Sequence, residues 1–186
     1  MLLWQAVDAR ADPLEDCEQA QHVARRIHGC TYRIHQFPRD ATAFFNRGSA
    51  HLSKGELDRA IADYTGVIQI DPAYSPAYYR RGIAYESRKQ FDQALADFSK
   101  AVEIHPRHGG AFDARARTYL KINQHKPALR DAERAVSIDP FDAGFLDTRA
   151  QVYEALGRTQ EAITDYRRAL SSNPSMKSGI DGLGRL

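Results

Sequence analysis

Four prolines, Pro72, Pro106, Pro140 and Pro174, stand 34 residues apart, and this interval constrains the fold more than any other feature of the chain. A sequence that repeats at such a period is built from small units, none of which buries its apolar face alone. With the segments in register from Ala41, Ser75, Gly109 and Ala143, further positions align. Position 4 is Phe44, Tyr78, Phe112, Leu146; position 8 is Gly48, Gly82, Ala116, Ala150; position 11 is His51, Tyr85, Tyr119, Tyr153. Position 20 is alanine throughout, at Ala60, Ala94, Ala128 and Ala162. Position 24 is Tyr64, Phe98, Ala132, Tyr166, and position 27 is Val67, Ala101, Ala135, Ala169. Positions 4, 8 and 11 share one face of a helix, and positions 20, 24 and 27 share one face of a second. Small residues at 8 and 20 let the two helices approach, and the aromatics fill the space between repeats. The proline stops the second helix, because it has no N–H and disfavours helical geometry in the residue before it. Gly55 and Gly157 fall between the helices at position 15, where a tight turn needs positive φ.

This pattern over residues 41–176 resembles the tetratricopeptide repeat. The resemblance implies an all-α, right-handed superhelical solenoid of antiparallel helix pairs. Four repeats are expected, at 41–74, 75–108, 109–142 and 143–176. Residues 1–40 form a degenerate N-terminal repeat or capping segment, and 177–186 a C-terminal cap fragment matching the start of a fifth repeat at Ile180 and Gly184. In the degenerate repeat, Ile27, Thr31, Ile34 and Pro38 lie 34 residues before Ile61, Thr65, Ile68 and Pro72. Its second helix is expected at about 18–36 and its first at 7–20, interrupted by Pro13. The third repeat is expected to pack least well, with Ala132 in an aromatic slot and Gly109-Gly110 opening its first helix.

Composition excludes several functions. The 26 Lys and Arg against 24 Asp and Glu leave a net charge of +2, too balanced for a chain devoted to nucleic acid or to an anionic membrane. No apolar run approaches the ~20 residues of a membrane helix, so membrane insertion is not expected. The seven histidines include His105 and His108 in a turn, but no third ligand lies near, and no metal or cofactor is expected. Phosphate-loop, dinucleotide-binding and nucleophile-elbow motifs are missing, and the protein is read as a non-enzyme. The start, MLLWQAV followed by Ala9-Arg10-Ala11, reads either as the stump of a secretion signal or as the start of a cytoplasmic protein, so a cytoplasmic and a periplasmic location both stay open. Cys17, Cys30-Thr31 and Asn46-Arg47-Gly48 resemble exported bacterial tetratricopeptide proteins with a cysteine pair ahead of an NRG-type first repeat. The resemblance implies a Cys17–Cys30 bridge; the alternative is a buried free Cys30 and an unrelated Cys17.

Two further positions are fixed. Position 7 is arginine in all four repeats, at Arg47, Arg81, Arg115 and Arg149, and position 23 is aspartate, at Asp63, Asp97, Asp131 and Asp165. Their joint recurrence predicts an ion pair within each repeat, the arginine stem packing between the helices. The degenerate repeat has Pro13 and Gly29 there and lacks both partners.

The family resemblance places positions 5 and 9 in the concave groove: Phe45 and Ser49, Tyr79 and Ile83, Asp113 and Arg117, Asp147 and Gln151. The expected function is a non-catalytic interaction scaffold binding a peptide segment or partner protein there. Phe45, Tyr79 and Ile83 are the expected first contacts; Asn46 and Arg80 hold the partner's backbone or a carboxylate, Ser49 lines the same wall, and Asp113 and Arg117 set selectivity. Only Asn46 and Arg80 fit the carboxylate clamp of the chaperone-binding relatives, with Ala11, Glu15 and Pro76 in its other places, so that clamp is not expected. The rival reading is a structural module that forms homodimers through its repeat ends.

Overall fold

A computed structural model describes residues 13–19 and 22–186. The Ala9-Arg10-Ala11 motif and Ala11 of the clamp comparison lie outside the described residues. Among the described residues there are eleven α-helices and no strand. The chain divides into two compact units, Met1–Ala84 and Tyr85–Leu186.

The first unit holds α1 (Pro13–Gln19), α2 (Val23–Gln36), α3 (Ala41–Ser53), α4 (Leu57–Ile70) and the first ten residues of α5 (Ser75–Ser87). The described part of α1 opens at Pro13, and residues 7–12 of the expected first helix lie outside the described residues. Glu18 and Gln19 still belong to α1, so α2 begins at Val23, later than the sequence spacing suggests. Gly29 of α2 explains how this repeat closes without the arginine–aspartate pair. A Cβ there would lie 2.4 Å from the carbonyl oxygen of Pro13 and 2.8 Å from Asp16 Cβ. The two positions that carry the ion pair elsewhere are here filled by backbone against backbone. A disulfide joins Cys17 to Cys30, and both cysteines pack with Ala43 and Ile34.

The second unit holds the rest of α5, then α6 (Phe91–Ile104), α7 (Gly109–Lys121), α8 (His125–Ile138), α9 (Ala143–Ala155), α10 (Thr159–Ser172) and α11 (Lys177–Arg185). Three-residue turns join α7 to α8 and α9 to α10, so each pair runs antiparallel. The space beside Ala132 is occupied: Ala116, Ala128 and Val152 are buried with it, and Tyr119, Leu120 and Leu129 close round them. At the start of the same repeat, the Phe145 ring lies 2.8 Å from where a Gly109 Cβ would be. The small residues of the third repeat are thus filled from the fourth. α11 packs on Tyr166 and Leu170, and its Arg185 donates to Glu154 at 2.8 and 2.9 Å.

Local sequence sets the helix ends. The residue before each first helix caps it where it has an acceptor: Asp40 accepts from Ala43 N–H at 3.0 Å, and Asp142 from Phe145 N–H at 2.9 Å. His108 takes the same role through Nδ1, accepting from Ala111 N–H at 3.2 Å, and burial holds its pKa below the ordinary imidazole value, which keeps that lone pair free. All four position-15 residues adopt positive φ: Gly55 at 73°, Lys89 at 60°, Asn123 at 59° and Gly157 at 71°. Asparagine tolerates this region, whereas lysine is strained there by its Cβ. Lys89→Gly is therefore expected to raise stability by about 0.5–1 kcal/mol, the released strain exceeding the added chain entropy. A urea midpoint unchanged or lowered by Lys89→Gly would contradict this.

Candidate functional site

The recurring arginines are the most regular polar feature of both units. Arg47 Nε and Nη2 donate to Asp63 at 3.0 and 2.7 Å, Arg115 to Asp131 at 2.6 and 2.8 Å, and Arg149 to Asp165 at 2.6 and 2.9 Å. Each is a bidentate pair within its own repeat, and the three aspartates are buried. Arg81 and Asp97 fall on opposite sides of the division between the units. The third guanidinium nitrogen has a partner that sequence reasoning missed. Arg47 Nη1 donates to Thr31 Oγ1 at 3.2 Å, Arg81 Nη1 to Thr65 Oγ1 at 2.9 Å, and Arg115 Nη1 to Ser99 Oγ at 3.0 Å. Each hydroxyl is at position 25 of the preceding repeat, so Arg47 and Arg115 each fasten two helices of their own repeat and one of the neighbouring repeat. For Arg149 that place in the preceding repeat is Glu133; the hydrogen bond to Asp165 raises the Arg149 pKa, and the Glu133 charge adds to it. Arg47, Arg115 and Arg149 thus have their guanidinium groups committed to contacts within the fold.

Six of the eight expected groove residues lie in the first unit. Phe45 is half-buried, its ring 5.6 Å from that of Tyr64 and 5.5 Å from that of Tyr74, edge-on to the latter. Ser49 accepts from the Tyr64 hydroxyl at 3.2 Å, and burial raises the Tyr64 pKa. Asn46 is committed elsewhere than expected: its Nδ2 donates to the Cys17 carbonyl at 3.3 Å, tying α3 to the degenerate repeat. Tyr79 and Ile83 are half-buried on α5, and Arg80 is exposed with its guanidinium 6.0 Å from the centre of the Tyr79 ring. The arrangement offers rigidly backed aromatic surface beside one exposed cation, a combination suited to binding rather than bond-making.

The other two, Asp113 and Arg117, lie in the second unit. Arg117 is exposed as expected, and its Nε is 3.4 Å from Asp113 Oδ2. Asp113 is not an open groove residue: it is 8% exposed, and burial raises its pKa. Its burial follows from the contact of α7 with α9, which brings Thr148 against its carboxyl. Among the described residues, no group of three or more His, Cys, Asp or Glu side chains is placed to hold a metal ion, and no helix is long and apolar enough to cross a membrane.

Residues 75–108 and residues 143–175 each match the family described as tetratricopeptide repeat, and residues 48–87 match the one described as TPR repeat. No curated protein matches the sequence. Among solved structures, the chain is similar to MamA from Desulfovibrio magneticus RS-1, at 17% identity over 87% of this chain and 91% of that one, with a TM-score of 0.77. It is also similar to YrrB, described as a TPR protein with an unusual peptide-binding site, at 24% identity over 84% of this chain and 80% of that one, TM-score 0.71. A third is the first TPR of Spaghetti (RPAP3) bound to the HSP90 peptide SRMEEVD, at 24% identity over 64% of this chain and 94% of that one, TM-score 0.62. At these identities the likeness is one of fold. Together with the repeat matches and the paired helices, it shows that the chain belongs to the tetratricopeptide-repeat family.

Proposed function

We propose that the protein is a non-catalytic docking scaffold that seats a peptide segment of a partner protein on the first-helix surface of repeats one and two. The family fold supports a role in protein–protein interaction, and two structural relatives are described as binding peptides. The observation that carries the reading is the aromatic wall at position 5. Phe45 and Tyr79 are half-buried, and Phe45 is held by Tyr64 and Tyr74, so a partner meets aromatic area already fixed in place. Arg80 beside Tyr79 supplies a cation for a backbone carbonyl or carboxylate of the peptide. Asn46, bonded to Cys17, contributes through the placement of α3.

Tyr79→Ala is expected to weaken binding of selected peptides by about 1–2 kcal/mol with little change in melting. Phe45→Ala is expected to lower both, because its ring also packs on Tyr64 and Tyr74. Peptides chosen from a random library against the full chain provide the ligand. A Tyr79→Ala protein that melts early yet binds with unchanged affinity when folded would make this ring core and the docking surface wrong.

The Cys17–Cys30 bridge supports work in an oxidising compartment, in keeping with export. Self-association is the second reading, favoured by α11, which leaves Ile180 51% and Leu186 41% exposed. Mass measurement in solution tests it: a dimer that Ile180→Glu converts to monomer supports it, and a monomeric wild-type chain removes it.

A further inference from the structure

The fourth repeat copies the third at its groove positions. Asp113 and Arg117 occupy positions 5 and 9 of α7, and Asp147 and Gln151 occupy the same positions of α9. In each, the position-9 side chain lies on one oxygen of the aspartate four residues before it: Arg117 Nε is 3.4 Å from Asp113 Oδ2, and Gln151 Nε2 donates to Asp147 Oδ2 at 2.7 Å. In each, the other oxygen, Oδ1, is buried with no hydrogen-bond partner. The two residues are 8% and 7% exposed, and the buried Thr148 hydroxyl is a hydrogen-bonding neighbour of the Asp113 carboxylate.

A buried acceptor without a donor is costly, about 1–3 kcal/mol for a neutral group and more for a charged one. Two of them at one register position in consecutive repeats double that cost. The helices that carry them are in contact; burial pushes the Asp113 pKa upward, Arg117 and the Thr148 hydroxyl oppose it, and the charges of Asp142 and Asp147 add to the rise. Repeats one and two place Phe45 and Tyr79 at this position, so the carboxylates are not a requirement of the fold. What the two Oδ1 atoms lack is a donor. Arg117, 44% exposed, and the half-buried Gln151 form the outer cover, and both side chains are long enough to swing aside.

We propose that Asp113 and Asp147 form a receptor for one cationic side chain of a partner, the guanidinium or ammonium group of an arginine or lysine. The incoming N–H groups hydrogen-bond the two Oδ1 atoms, and Arg117 and Gln151 yield to admit it. A guanidinium suits the task better than an ammonium, since its planar fork reaches two carboxylates at once. The source of the cation as a peptide rests on the docking function proposed above; the receptor itself does not.

The test uses the full 186-residue chain with L-argininamide, L-lysinamide and the neutral isostere L-citrullinamide as probes. The readout is the side-chain carboxyl carbon resonances of Asp113 and Asp147. Argininamide is expected to shift both saturably, with a dissociation constant on the order of millimolar as befits a single side chain. Lysinamide is expected to do so more weakly and citrullinamide not at all. The double variant Asp113→Asn, Asp147→Asn is expected to bind argininamide about tenfold or more weakly, with its melting transition intact. The proposal is overturned by no saturable shift up to about 50 mM probe, by an equal response to citrullinamide, or by unchanged binding in the double variant. If the double variant does not fold, Arg117→Ala serves instead: removing the cover is expected to tighten argininamide binding, and unchanged or weaker binding counts against the receptor. Argininamide binding without any selected peptide would remove the docking function and leave the receptor. Peptides that bind through Tyr79 with no argininamide response would do the reverse.

Discussion

Asp131→Ala is expected to lower the stability of the protein by about 3–5 kcal/mol, because it leaves a buried guanidinium without its counter-charge. Arg115 reaches Asp131 with two nitrogens at 2.6 and 2.8 Å, and both side chains are largely out of solvent. The attraction between two such charges is mostly offset by the water they lost, so the pair adds little net stability. Removing one partner is a different matter, since the desolvation of the survivor remains. Arg115→Ala is expected to cost as much by a second route, as its stem also packs over the Phe112 ring, 5.5 Å from the guanidinium carbon. The double change Arg115→Leu, Asp131→Tyr, which replaces both charges with largely apolar side chains, is expected to be close to neutral. Ser99→Ala removes the hydroxyl that accepts from Arg115 Nη1 at 3.0 Å and is expected to cost about 1 kcal/mol. Urea midpoints at constant slope for the four proteins measure the coupling. An Asp131→Ala protein within about 1 kcal/mol of the wild type would mean that the guanidinium finds water or another acceptor once the carboxylate is gone.

How much of this was legible in the sequence depends on the range of the interaction. Helix pairs, turns and the ion pairs within repeats recur every 34 residues, so each position is seen four times and chance is averaged away. The hydroxyl at position 25 was missed because the recurrence breaks: Thr31, Thr65 and Ser99 accept from an arginine, but Glu133 takes the place in the third repeat. The bond from Asn46 to the Cys17 carbonyl was not legible at all, since any residue supplies a carbonyl and only the packing of α1 on α3 selects this one. Asp113 shows the limit of register reasoning for a site. Register fixes where on the helix position 5 falls, but the depth of its side chain depends on the neighbouring helix, and here α9 closes over it.

Reduction of the Cys17–Cys30 bridge is expected to destabilise the N-terminal hairpin by about 3 kcal/mol, the loop-closure entropy returned to the unfolded chain by opening a ring of this size. The effect is expected to be local. Among the described residues, α1 and α2 rest on α3 and on each other, and seven residues of α1 are described. Gly29, packed against the Pro13 carbonyl, gives close contact but little apolar area, which leaves the covalent link to hold α1 in place. Hydrogen exchange is expected to rise across residues 23–36 on reduction, and to stay unchanged in 91–172, where Phe98 and Tyr166 are fully buried. The Cys17→Ser, Cys30→Ser protein is expected to behave as the reduced wild type does, which separates loss of the bond from damage by the reductant. Exchange in 23–36 that ignores reduction would show that burial of the two cysteines with Ala43 and Ile34 suffices without the bond. The loosening should reach α3 through one contact, that of Asn46 with the Cys17 carbonyl, and stop there. Phe45, the next residue back, rests on Tyr64 and Tyr74, both outside the hairpin, so peptide binding through the aromatic wall is expected to survive reduction.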